Sequence, residues 1–153
     1  KDVLTYFEAM SLPVQPRSLV VVGAGAIGIE FAYFYNAIGT QVTVLEALPQ
    51  VLPVEDVEIA GVVEKSLRKQ GVAIFTGAKL AGVERGSAGL TARFTDKDGQ
   101  AREVTGEKIL SMYRRPILSA NLRFKSPAST DMVDTNTSRA RKLVSTPTVS
   151  CQS

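Results

Sequence analysis

Histidine is absent from the 153 residues, and cysteine occurs once, as Cys151 near the C-terminus. Without histidine the chain has no Ser-His-Asp or Cys-His arrangement to activate a nucleophile, and it lacks the commonest general base. A single thiol excludes an internal disulfide framework, a paired redox dithiol and a cysteine-ligated metal cluster. Long apolar runs are missing too. The most apolar region, residues 19–39, is rich in glycine and broken by Glu30 and Asn36, so it is no membrane span. No signal or transit peptide is visible. KDVLTYFEAM reads as an internal beginning, which leads us to expect a domain of a longer protein from a reducing, cytoplasm-like compartment.

Charge of the two signs is unevenly spread along the chain. Residues 1–112 carry eleven basic and thirteen acidic side chains, while residues 113–153 carry seven basic and two acidic ones. The overall net charge of +3 therefore belongs to the last forty-one residues, and a nucleic-acid reading built on it would be misled. Hydrophobic content of 44% and charged content of 22% suit one globular domain with a real core.

The pattern of apolar residues predicts an α/β domain. Residues 1–17 form a lead-in segment: a short helical stretch, then LPVQPR, where Pro16 stops any helix from continuing. SLVVV (18–22) is a continuous apolar run, as expected for a parallel strand covered on both faces. AIGIEFAYFYNAIG reads as a helix with Ile27, Phe31, Phe34 and Ile38 at helical spacing and Gly39 as its C-terminal cap. QVTVLEA (41–47) is a second strand. Residues 55–70 form an amphipathic helix with acids at its start and bases at its end, capped by Gly71, and VAIFTG (72–77) is a third strand. From Lys79 the segments KLAGVER, LTARFTD and AREVTGEKIL read as a three-stranded antiparallel meander, with turns at Gly86–Gly89 and DKDG. The expected whole is a Rossmann-like parallel sheet with flanking helices, a small antiparallel layer beside it, and a disordered basic tail over 119–153.

Between the first strand and first helix lies LVVVGAGAIGIE, with Gly23, Gly25 and Gly28 spaced G-x-G-x-x-G. The first glycine makes the tight turn, the second lets backbone approach a pyrophosphate, and the third lets the helix pack on the strand. The helix start adds unpaired N–H groups and a dipole that favour an anion. Taken alone the motif is weak; here it follows a strand, opens a helix and sits in a β-α-β unit of about 30 residues. Glu46 lies eighteen residues after Gly28, at the end of the second strand. An acid there accepts from adenosine ribose hydroxyls and repels a 2′-phosphate. No Lys or Arg follows before Asp56, so the expected cofactor is NAD rather than NADP. Glu30 suits either the helix dipole or a ligand.

These residues carry a resemblance. GAGAIGIE, VTVLEA, the ED-EI helix start and the KQGV helix end together resemble the NAD-binding domain of the pyridine nucleotide-disulfide oxidoreductases, in its dihydrolipoamide dehydrogenase branch, over residues 3–118. DKDGQAREVTGEKI is similar to that family's meander. The resemblance implies that Gly23, Ala24, Gly25, Ala26, Ile27, Gly28 and Glu30 line the NAD pyrophosphate and nicotinamide path. It also implies that Glu46 holds the adenosine ribose and that Leu80 lies against the adenine. It implies a parent enzyme that passes electrons from dihydrolipoyl groups through a cysteine pair and FAD to NAD, and works beside lipoyl domains of 2-oxoacid dehydrogenase complexes. The FAD-binding region, the cysteine pair and the interface domain with its histidine are not in these 153 residues, so NAD is the only cofactor expected here and the chain alone is expected to be inactive. An FAD site at the same turn is disfavoured, because the proline-bearing lead-in is typical of the family's second nucleotide site.

Two departures stand out. The family closes this domain on a glycine-arginine-x-proline motif; here ILSMYRRPIL keeps Arg114, Arg115 and Pro116 but has Tyr113 at the glycine, which works against cofactor contact there. After Pro116 the resemblance ends abruptly, as a shift of reading frame or an artificial junction would produce. Other readings are the NAD domain of a different flavin-disulfide reductase, and a non-catalytic interaction protein whose basic tail binds an acidic partner. For that tail, scattered arginines and few aromatics make a solvated segment the better expectation than nucleic-acid binding.

Overall fold

The computed structural model describes residues 2–113. The expectations for the tail, including Arg114, Arg115, Pro116, Cys151 and the domain end at 118, lie outside the described residues. In chain order the elements are β1 (Val3–Leu4), α1 (Tyr6–Met10), β2 (Ser18–Val22), α2 (Ala26–Ala37), β3 (Gln41–Leu45), α3 (Val57–Lys69), β4 (Ala73–Phe75), β5 (Lys79–Gly86), β6 (Gly89–Thr95), β7 (Ala101–Gly106) and β8 (Lys108–Ser111).

Five strands form a parallel sheet in the order β1-β8-β2-β3-β4, and β5-β6-β7 form a separate antiparallel sheet. Successive side chains of a strand point to opposite faces, and SLVVV shows what each face meets. Leu19 and Val21 pack with Ala32 and Tyr35 of α2 and with Leu67 of α3. Val20 and Val22 pack instead with Val83, Leu90 and Phe94 of the antiparallel sheet. Three layers result, and the continuous apolar run is explained: β2 is covered on both sides. The flanking helices share one face, while the meander covers the other.

Helix α2 turns a different side inward than its large apolar residues suggest. Gly28, Ile29, Ala32 and Tyr35 are buried, whereas Ile27 and Phe34 are more than half exposed. Phe31 is partly buried against the same core, while Ile27, Phe34 and Ile38 face outward. The Tyr35 hydroxyl donates to the Ala9 carbonyl at 2.6 Å and ties α2 to α1. Burial pushes its phenol above the ordinary tyrosine value.

The stretch AREVTGEKIL, expected as a single meander strand, is two strands. Ala101–Gly106 pairs with β6, and Lys108–Ser111 crosses to the parallel sheet and inserts between β1 and β2. The crossing point is Gly106, where a Cβ would stand 2.9 Å from Val20 Cγ2. Only a residue without a side chain lets the chain pass so near β2. The lead-in segment also joins the sheet: Val3 and Leu4 pair with Ile109 and Leu110, and Asp2 bonds Lys108 at 2.8 Å and also pairs with Arg85.

The DKDG turn closes the β6–β7 hairpin around Asp96. Its carboxylate accepts from the Asp98 and Gln100 N–H groups at 3.0 and 2.9 Å and from Arg102 Nε at 2.5 Å. The Arg102 hydrogen bond, then that from Gln100, holds the Asp96 carboxyl below the ordinary aspartate value. A depressed folded value means stability that is present above the unfolded value, near pH 4, and lost as pH falls through the folded one. The melting temperature of the native chain should therefore exceed that of Asp96→Asn at neutral pH, and the difference should shrink as the pH is lowered through the acid range below the ordinary aspartate value, as followed by circular dichroism.

Candidate functional site

The site is set by topology before any side chain is considered. From β2 the chain moves by helical crossovers to β3 and β4 on one side; β8, on the other side of β2, is reached only through the meander. Strand order therefore reverses between β2 and β8, and in open α/β sheets ligands bind in the crevice at such a switch point, outside the carboxyl ends of the strands. Val22 is in register with Ser111, and Met112 N–H donates to the Val22 carbonyl at 2.9 Å. The next residue on β2 is Gly23. The glycine turn thus lies on one lip of the crevice and residues 112–113 on the other.

Gly23 and Gly28 have steric reasons to be glycine. Gly23 sits at φ +106°, and a Cβ there would stand 2.9 Å from Met112 Cβ. A Cβ on Gly28 would lie 2.0 Å from the Gly23 carbonyl oxygen, so the first turn of α2 packs directly on the turn. Gly25 differs: a Cβ there would meet nothing within 4 Å. Its reason for being glycine is therefore not packing, which leaves the open face that a ligand backbone contact needs.

The two longer helices begin differently. At α3 the Asp56 side chain accepts from Glu58 N–H and Ile59 N–H, satisfying donors that would otherwise lack partners. At α2 the N-cap is Gly25, with no side chain to cap, and Gly25, Ala26 and Ile27 are exposed. The start of α2 presents unpaired N–H groups and the positive end of a helix dipole to the crevice, which suits a phosphate anion. The sheet's switch point and the uncapped helix coincide.

Glu46 is only 3% exposed. One carboxylate oxygen accepts from Ala24 N–H at 2.5 Å and the other from Leu48 N–H at 2.9 Å. The acid expected at the end of the second strand therefore also splints the glycine turn to the β3 exit. The 47–56 loop adds a second splint, since Leu52, at φ +47°, donates its N–H to the Ala24 carbonyl at 2.7 Å. No sequence signal pointed to Leu52; a non-glycine residue in left-handed backbone is legible only in coordinates.

The remaining expected residues are spread. Glu30 is exposed one turn into α2, beyond the first turn where a dipole acts most strongly, and Ile27 is exposed beside the crevice. Leu80 lies on β5, half-buried against the core between the two sheets. Tyr113 is the residue the sequence undersold. Its Cε2 lies 3.6 Å from where a Gly23 Cβ would be, and burial, followed by the nearby Glu46 charge, raises its phenol above the ordinary value.

Fold and site together define a doubly wound α/β domain with a glycine turn at its switch point. The chain belongs to the pyridine nucleotide-disulphide oxidoreductase family, which matches residues 18–99. It is 46% identical over 111 residues to dihydrolipoyl dehydrogenase of Rhizobium etli, covering 72% of this chain and 23% of that protein. The corresponding enzyme of Mycobacterium leprae is 43% identical over 110 residues, covering 71% and 23%. Among solved structures, LpdA from Mycobacterium tuberculosis superposes with a TM-score of 0.60 at 37% identity, over 73% of this chain and 24% of that one. The flavoprotein disulfide reductase RclA from Escherichia coli gives 0.63 at 28% identity, over 72% and 24%. The chain spans about a quarter of the length of the curated relatives it matches. Among the described residues no helix is long and apolar enough to cross a membrane.

Proposed function

We propose that this chain is the NAD(H)-holding domain of a flavin-dependent dihydrolipoyl dehydrogenase. The observation that carries the reading is the uncapped start of α2 at the switch-point crevice, beside a helix of similar length whose start is capped by its own aspartate. A pyrophosphate fits there: Gly25 is open, and the N–H groups of the first turn of α2 face it. Glu46 supports NAD over NADP. Its buried carboxylate is fixed by two N–H donors at the end of β3, where ribose hydroxyls would donate to it and a 2′-phosphate would meet a like charge. Gly23, Ala24, Gly25, Ala26, Ile27 and Gly28 form the phosphate path, Glu30 and Ile27 flank its nicotinamide end, and Leu80 serves the adenine.

When bound, NAD supplies the acceptor for a hydride. The residues of this chain hold and orient it. The chain has one cysteine and no histidine, so the donor side of such a reaction, a flavin reduced through a cysteine pair, falls to FAD-binding and interface regions of a longer polypeptide. Oxidation of dihydrolipoyl groups, lipoyl-domain partners and a cytoplasmic setting follow from the likeness to dihydrolipoyl dehydrogenases.

Calorimetric titration of the 153-residue chain with NADH, NADPH and FAD tests the proposal. NADH should bind measurably, NADPH at least about tenfold more weakly, and FAD not at all. Preference for NADPH would remove the role given to Glu46, and heat from FAD alone would reassign the turn.

A further inference from the structure

We infer that Tyr113 closes the nucleotide crevice of the unliganded chain and sets its affinity. The inference rests on the dinucleotide reading above. Tyr113 follows β8 by two residues, and the β2–β8 register brings it level with Gly23. The ring edge lies 3.6 Å from the position of a Gly23 Cβ. The phenol lies toward the other side of the crevice, near enough to the Glu46–Ala47 end of β3 for the Glu46 charge to act on it. The side chain therefore sits beside the exit of β2, on the side of the crevice that faces the exit of β3.

A dinucleotide that places a ribose on Glu46 and a pyrophosphate on the start of α2 must run along this same line. The ring and the ligand compete for it. The ring is held by an apolar contact with the core between the sheets, an arrangement that can be left by rotation of the side chain. Binding then draws on the fraction of molecules with the ring swung out, and the apparent dissociation constant rises in inverse proportion to that fraction. The residue thus acts as a side-chain cover, and its removal should strengthen binding although it deletes contacts.

The test is calorimetric titration of the 153-residue chain and its Tyr113→Ala variant with NADH, with Tyr113→Ser as a second truncation should the first not fold; far-ultraviolet circular dichroism establishes folding. NADH should bind the truncated variant about tenfold more tightly than the native chain. Equal affinity would show that the ring lies off the path, and weaker binding would show that it stacks on the ligand; either overturns the inference while leaving the dinucleotide site standing. Failure of NADH to bind both the native chain and the truncations would overturn the dinucleotide reading itself, and the cover with it.

Discussion

Gly28→Ala should cost about 3 kcal/mol or more of folding free energy in urea denaturation, the upper end of what an added methyl does in a packed interior. The added Cβ would stand 2.0 Å from the Gly23 carbonyl oxygen, and both partners are backbone. No rotamer change relieves such a contact. Relief requires lifting the first turn of α2 off the sheet, which exposes Ile29 and Ala32 and opens the crevice lip. Gly25→Ala is the matched control. Its Cβ meets nothing within 4 Å and its φ of −68° suits alanine, so stability should change by less than about 0.5 kcal/mol while NADH binding weakens. That pair of results would separate a packing role for one glycine from a ligand role for the other.

Glu46→Ala carries the second large effect, and it acts twice. The buried carboxylate satisfies Ala24 N–H and Leu48 N–H; without it both donors lose their partner, at about 1–3 kcal/mol for each one that stays dry. Thermal unfolding should therefore shift downward. NADH affinity should fall by about ten- to a hundredfold as well, because the ribose hydroxyls lose an acceptor and the turn loses its splint. Glu46→Gln separates the two roles. It keeps one carbonyl acceptor for the turn but presents an amide nitrogen where the second N–H points, so stability is lost only in part. A Glu46→Gln variant that binds NADPH better than the native chain does would show that the charge, and not the hydrogen bonds alone, selects against a 2′-phosphate.

How much of this was legible in the sequence depends on the kind of signal. SLVVV announced a doubly covered strand because its apolar residues are consecutive, and its alternate members do meet two different layers. Gly39 and Gly71 were readable as helix ends, and both adopt φ +96°. The glycine turn was readable because strand, turn and helix follow one another locally. What failed was non-local. Ile27, Phe34 and Ile38 of the α2 segment recur at helical spacing yet are exposed, while Ile29, Ala32 and Tyr35 are buried, because the inward face depends on what the helix packs against and periodicity alone does not say. The segment 101–110 alternates like one strand, but its partners change at Gly106 from β6 to β2, and partner identity is a property of the fold. The site divides in the same way. The turn from Gly23 to Gly28 and an acid at the exit of β3 could be placed from spacing. That Glu46 holds Ala24, that Leu52 clamps the same turn, and that Tyr113 lies across the crevice required the β2–β8 register.

That register also orders events in time. Val20 pairs with Ile109 across 89 positions, and the last strand of the parallel sheet to be synthesised takes a place beside the first long one. A nascent chain acquires the whole glycine motif, both crossover helices and Glu46 while the second lip of the crevice is still unmade. Pairings that far apart in sequence form slowly, because a long loop must close before any contact rewards it. The nucleotide motif is thus among the first things this polypeptide carries and the nucleotide crevice among the last things it builds. Any chain stopped short of Lys108 would hold the complete fingerprint and no place to put a ligand.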